Sequence, residues 1–138
     1  MNIVELSDNF AVSAQIAPRD MADIAAAGYK VVVNNRPDGE ESGQPSGAEI
    51  AAAAEQAGLE YRYMPINHMD FPGPDLEAFA ELLEDSDSAV FAYCRSGTRC
   101  ANLWVASRPP DARERAAATA HALGYDLGMA SRYLARAD

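Results

Sequence analysis

The sequence predicts an α/β fold, with a mostly parallel central sheet of about four to five strands flanked by helices. Three observations predict it. Tyr29 to Val33 and Ser88 to Tyr93 are short, largely apolar runs, as strands covered on both faces are. Segments with helical periodicity stand between the strand-like runs, and several close on a glycine, such as Gly28 and Gly58. Strand and helix also alternate along the chain, which favours crossover connections and a parallel sheet.

Taken in order, Phe10 to Ile16 alternates enough for a first strand, and Ala17-Pro18-Arg19-Asp20 opens a helix to Ala27. Tyr29 to Val33 is the second strand. It ends in the turn-rich Asn34-Asn35-Arg36-Pro37-Asp38-Gly39, followed by a polar loop to Gly47. Ser46 to Ala57 reads as a helix, with Ser46 and Glu49 spaced for a capping box. Leu59 to Ile66 is the third strand, and Asn67 to Pro74 a second loop. Asp75, as N-cap, starts an amphipathic helix to Glu84 with Leu76, Phe79, Leu82 and Leu83 on one side. Ser88 to Tyr93 is the fourth strand and leads through a loop into a helix from about Thr98 to Ser107. Pro109-Pro110 stops that helix, Asp111 caps another to Leu123, and a last one spans about Leu127 to Ala137. Without a repeat or linker, residues 1–138 read as a single domain, with the C-terminal helices, about 111–137, packed on it.

Composition narrows the function classes. With 49% hydrophobic residues the chain can bury a core, and a formal net charge of −10 argues against nucleic acid or anionic membrane as partner. Lys30 is the only lysine, and arginine, which dominates the basic residues, suits bidentate recognition of oxyanions. The expected partner is a small anionic substrate. Two cysteines are too few for a disulfide scaffold, and Met1 to Phe10 lacks the pattern of a signal peptide, so the expected location is the cytoplasm. No Cys/His/carboxylate spacing suggests a metal site, no cofactor is implied, and oligomeric state is not legible.

Chemistry concentrates in Cys94-Arg95-Ser96-Gly97-Thr98-Arg99, where a buried strand turns into a helix. Ligands bind at the carboxyl ends of strands in open α/β sheets. Backbone N–H groups around Gly97 can converge on an anion, and the following helix contributes its positive N-terminal end. A cysteine there should have a pKa well below the roughly 8.5 of a free thiol. Ser96 and Thr98 offer hydroxyls to the thiolate, Arg99 is expected to grip substrate oxygens, and Arg95 is a further anion-binding candidate. Cys100 is read chiefly as packing and alternatively as a resolving thiol.

This pattern resembles the cysteine-dependent phosphatases and the rhodaneses. The whole chain, over roughly residues 5 to 128, resembles the bacterial DUF442 family, described as phosphatase-like and also found fused to metallo-β-lactamase-like domains. The resemblance rests on Ser13-Ala14-Gln15-Ile16, on Val33 to Glu40, on Tyr61 to Ile66 and on Tyr93 to Arg99. It implies a fold similar to that of dual-specificity phosphatases. Those phosphatases place five residues between cysteine and arginine, whereas four separate Cys94 from Arg99. Cys100 stands where their arginine would, and Tyr93 where they usually carry histidine. The four-residue gap resembles the rhodanese loop, which accommodates a persulfide.

A phosphatase needs a general acid for the leaving oxygen. Asp70, on the loop after the third strand, is the candidate, with His68 second. Arg36, after the second strand, either faces the same crevice or pairs with Glu40 or Glu41. The expectation is a hydrolase cleaving a phosphate ester through a Cys94 thiolate. The alternatives are a sulfurtransferase with a Cys94 persulfide, fed by a sulfur donor, and a non-catalytic anion-binding or redox-sensing module.

Overall fold

A computed structural model of the chain describes residues 1–137. Five strands form one sheet: β1 (Val4–Ser7), β2 (Phe10–Ser13), β3 (Val31–Asn34), β4 (Glu60–Tyr63) and β5 (Val90–Tyr93), in spatial order β1-β2-β5-β3-β4. All neighbours are parallel except β1 and β2. The expected α/β class holds, and β5 lies at the centre as the Ser88 to Tyr93 run predicts.

The helices are α1 (Met21–Ala26), α2 (Gly47–Gln56), α3 (Leu76–Glu84), α4 (Thr98–Ser107), α5 (Arg113–Ala122) and α6 (Gly128–Ala137). Period-2 side-chain alternation divides the core in two. Val12, Val33, Val90, Ala92 and Cys94 face the side packed by Phe79 of α3, Trp104 of α4 and Ala120 of α5. Ala11, Val32, Phe91 and Tyr93 face Ile24 of α1 and Ile50 of α2. Phe10 is 1% exposed, packed edge-to-face with Phe79 at 5.6 Å and stacked with Trp104 at 6.1 Å.

Several expectations need correction. β1 was not foreseen. Asp8-Asn9 joins it to β2 in a tight hairpin with Ser7 opposite Phe10, and Leu6 turns into the core. The strand read as Phe10 to Ile16 stops at Ser13, and that read as Leu59 to Ile66 covers only Glu60–Tyr63, because past those points the chain leaves its ladder to build loops. Pro18–Asp20 forms a 3₁₀ turn before α1, in which Asp20 accepts the Ala17 N–H. The Ser46–Glu49 capping box is formed. Asp75 occupies the N-cap of α3 without a side-chain hydrogen bond, and the N-cap of α5 is Ala112 rather than Asp111.

Candidate active site

The carboxyl ends of β2, β5, β3 and β4 come together at one edge of the sheet, stitched by backbone bonds beyond the strands themselves. Cys94 N–H donates to Ser13 O at 3.3 Å, Asn35 N–H to Tyr93 O at 2.9 Å, and Ile66 N–H to Asn35 O at 3.0 Å. Asn35 Nδ2 reaches Met64 O at 2.7 Å. The Cys94 loop, the stretch after β3 and the stretch after β4 therefore form one rigid rim.

Gly97 makes the turn into α4 with φ +90°, where a Cβ would meet the Tyr125 hydroxyl at 3.4 Å and Ser13 backbone at 3.5 Å. Only glycine takes that conformation without strain. Its N–H donates to Cys94 Sγ at 3.1 Å. The Cys94 thiol is lowered to about 6. The hydrogen bond from the Cys100 side chain is the largest cause, burial opposes it, and the Cys100 and Ser96 amides and the charge of Arg99 lower it further. Cys100 titrates the other way, because burial disfavours its thiolate. Both cysteines are free and fully buried.

The expectation that the Ser96 and Thr98 hydroxyls serve the thiolate is corrected. Ser96 Oγ donates to Thr98 Oγ1 at 3.0 Å, and the bonds to sulfur come from backbone amides and the Cys100 thiol rather than from these hydroxyls.

Arg99 is 3% exposed and does not stand open to solvent as a gripping arm. Its Nη1 donates to Glu40 Oε2 and to Ile66 O, and its Nη2 to Glu40 Oε1, each at 2.8 Å. Glu40 Oε1 also accepts Nε–H of Arg36 at 2.9 Å, and Arg36 Nη1 donates to Gln15 Oε1 at 2.9 Å. Arg36 is thus a buried partner of Glu40 at the rim, 2% exposed. Its Nη2 has no hydrogen-bond acceptor, with Glu41 Oε1 3.8 Å away. The Glu40 carboxyl is lowered to about 2, first by the hydrogen bond from Arg99, against burial, and then by Arg36. Arg95 is exposed and approaches Glu41 at 3.5 Å. In the sequence Glu40 stands only as a candidate ion-pair partner for Arg36. The Arg36-Pro37-Asp38-Gly39-Glu40 turn was the available signal, but it does not show that Arg99 reaches the same carboxylate.

Asp70 and His68 are both exposed on the loop after β4. His68, not Asp70, lines a cleft of about 270 Å³ together with Thr98, Asp126, Gly128, Met129 and Arg132. Buried Asn102 of α4 sets that wall. Its Nδ2 donates to Thr98 O and Asp126 O, both at 2.8 Å, and its Oδ1 accepts Ala130 N–H at 2.9 Å. A larger hollow around Val31 and Glu60 lies near the opposite ends of the strands, without a nucleophile. Among the described residues no group of His, Cys, Asp and Glu could hold a metal, and no helix is long and apolar enough to cross a membrane.

Comparison with known proteins shows what the chain is similar to. Residues 2–111 match the family described as the phosphatase-like domain of beta-lactamase hydrolase-like protein. The chain is 35% identical over 139 residues to the beta-lactamase hydrolase-like protein of Xylella fastidiosa. It spans 99% of its own length there but about a third, 32%, of the relative. A crystal structure from Neisseria meningitidis Z2491, described as a candidate phosphatase, superposes with a TM-score of 0.75 at 35% identity, covering 93% of this chain and 92% of that one. The core catalytic domain of a PP-IP phosphatase from S. cerevisiae shares the fold, with a TM-score of 0.58 at 13% identity over 99% of this chain and 92% of that one.

Proposed function

The chain belongs to the phosphatase-like domain family of the beta-lactamase hydrolase-like proteins, and from that premise we propose that it hydrolyses a phosphate ester through Cys94. The observation that carries the proposal is the Gly97 N–H on Cys94 Sγ at the head of α4, with the thiol lowered to about 6. At neutral pH that sulfur is a thiolate, the form competent for attack. It displaces the leaving oxygen from phosphorus and forms a thiophosphate intermediate, which water then cleaves to release phosphate and restore the thiolate. The Ser96 to Arg99 amides and the positive end of α4 stabilise the equatorial oxygens. Arg99, held by Glu40, fixes the charge beside the sulfur.

Asp70 is the proposed donor to the leaving oxygen. Removing a general acid costs roughly 10²–10⁴ in rate, most where the leaving group is basic. Asp70→Asn should therefore slow alkyl phosphates far more than an activated aryl phosphate, and Cys94→Ser should abolish both. Unchanged rates for every leaving group would remove Asp70 from the site and turn attention to His68.

A second reading is favoured by two observations. Only four residues separate Cys94 from Arg99, and the thiol is 0% exposed with the Arg99 fork taken by Glu40. An enclosed thiolate ringed by amides suits a persulfide, which adds a single sulfur atom. Thiosulfate with cyanide as acceptor, assayed beside an aryl phosphate, separates the two. Brisk sulfur transfer without phosphatase activity overturns the phosphatase reading.

A further inference from the structure

Two clefts at the edge of the site carry arginine side chains that the chemistry above does not use. Arg132 lines the cleft that touches Thr98. It also lines, with Arg136, an adjoining cleft of about 130 Å³ shared with His68, Met69, Phe71 and Met129. The two arginines are four residues apart on α6 and so lie on one face. Among the described residues neither has a carboxylate within ion-pair distance, as is also true of Arg19, Arg108, Arg113 and Arg115, whereas Arg36, Arg62, Arg95 and Arg99 do; what sets Arg132 and Arg136 apart is their place in the clefts. The acidic group in the lining, Asp126, accepts Gly128 N–H on Oδ1 at 2.8 Å and flanks Gly128 together with Arg132, without reaching ion-pair distance. The placement is built, because the Asn102 bridge ties the start of α6 to Thr98. Among the described residues, a chain of net charge −10 thus keeps two guanidinium groups without an ion-pair contact, Arg132 in the cleft that Thr98 lines and Arg136 in the adjoining one. Met69, 95% exposed, and the partly buried Phe71 and Met129 add apolar surface to these clefts.

We propose that this cleft is a second anion subsite, and that the substrate is a small molecule carrying two anionic groups. One is the phosphate ester at Cys94; the other is a phosphate or carboxylate held by Arg132 and Arg136 across a short apolar spacer. The assignment rests on the reading of Cys94 as the reacting centre. Arginine suits the role because its fork pairs bidentately with oxyanions.

The test is calorimetric binding to the full chain carrying Cys94→Ser, with methylphosphonate and with α,ω-bisphosphonates of one to four methylenes. One spacer length should bind at least about tenfold tighter than methylphosphonate. That gain should fall to about twofold or less in Arg132→Met combined with Arg136→Met, while Arg115→Met on α5 keeps it. A bisphosphonate series without gain, a gain that survives the double substitution, or binding of neither probe overturns the subsite. Aryl phosphate turnover by the wild type reports separately on the nucleophile. Turnover without the bisphosphonate gain defeats the subsite alone, and the gain without turnover defeats the phosphatase reading alone.

Discussion

Glu40→Gln isolates the ion-pair knot beneath the candidate site. The substitution keeps the shape of the side chain, removes its charge and leaves one carbonyl oxygen where two carboxylate oxygens served Arg99 and Arg36. Both guanidinium groups are almost wholly buried, and the carboxylate itself is only 23% exposed, so solvent cannot take over its role. The carboxyl moves from an ordinary value of 4.5 to about 2. At about 1.36 kcal/mol per unit, this corresponds to about 3 kcal/mol of stabilisation, in line with the roughly 3–5 kcal/mol lost when one partner of a buried pair is removed. Because the folded pKa is depressed, the contribution is complete above pH 4.5 and is lost as pH falls towards 2. Urea unfolding under reducing conditions should show Glu40→Gln about 3 kcal/mol less stable than wild type at pH 7 and at pH 5.5, with the gap less than half as large at pH 3. For a domain of this size the melting temperature should fall by roughly 10 °C. A deficit below about 0.5 kcal/mol at pH 7, or one equally large at pH 3, would refute the argument.

The remaining predictions concern the sulfur. Alkylation of Cys94 should follow a titration with its midpoint near pH 6, reactivity falling below it as the thiol protonates; a midpoint at or above the free-thiol value of roughly 8.5 defeats the anion-loop argument. Cys100→Ala removes the first cause of the lowering and should move that midpoint upward, whereas an unmoved midpoint assigns the effect to the backbone amides. Gly97→Ala puts a Cβ at φ +90°, within 3.4 Å of the Tyr125 hydroxyl, and should cost roughly 1–3 kcal/mol in chemical denaturation and slow phosphate-ester turnover. A stable, fully active alanine variant would show that the turn does not need glycine.

The parallel α/β sheet, its central strand and the position of the cysteine loop are legible from local rules. An apolar run such as Val90–Tyr93 must be covered on both faces, and a glycine after a strand must turn the chain. The capping box at Ser46 was readable because both partners lie within one turn. β1 had a local signal in Val4-Glu5-Leu6-Ser7, where Leu6 points inward, but four residues are short, and what makes them a strand is the ladder offered by β2. Strand ends were overread for a related reason. Met64 to Ile66 look extended, yet Met64 and Ile66 donate to Asn34 O and Asn35 O at the rim around Cys94. What only the tertiary structure decided lies farther apart along the chain. Glu40 joins Arg99 across 59 residues, and Asn102 joins Ala130 across 28. Arg132 and Arg136 reach the site because α6 returns beside α4. No periodicity or spacing encodes such meetings. They are fixed by the packing of whole helices and loops, and the free energy of burying a charge, once packing has enclosed it, selects the partner it must have.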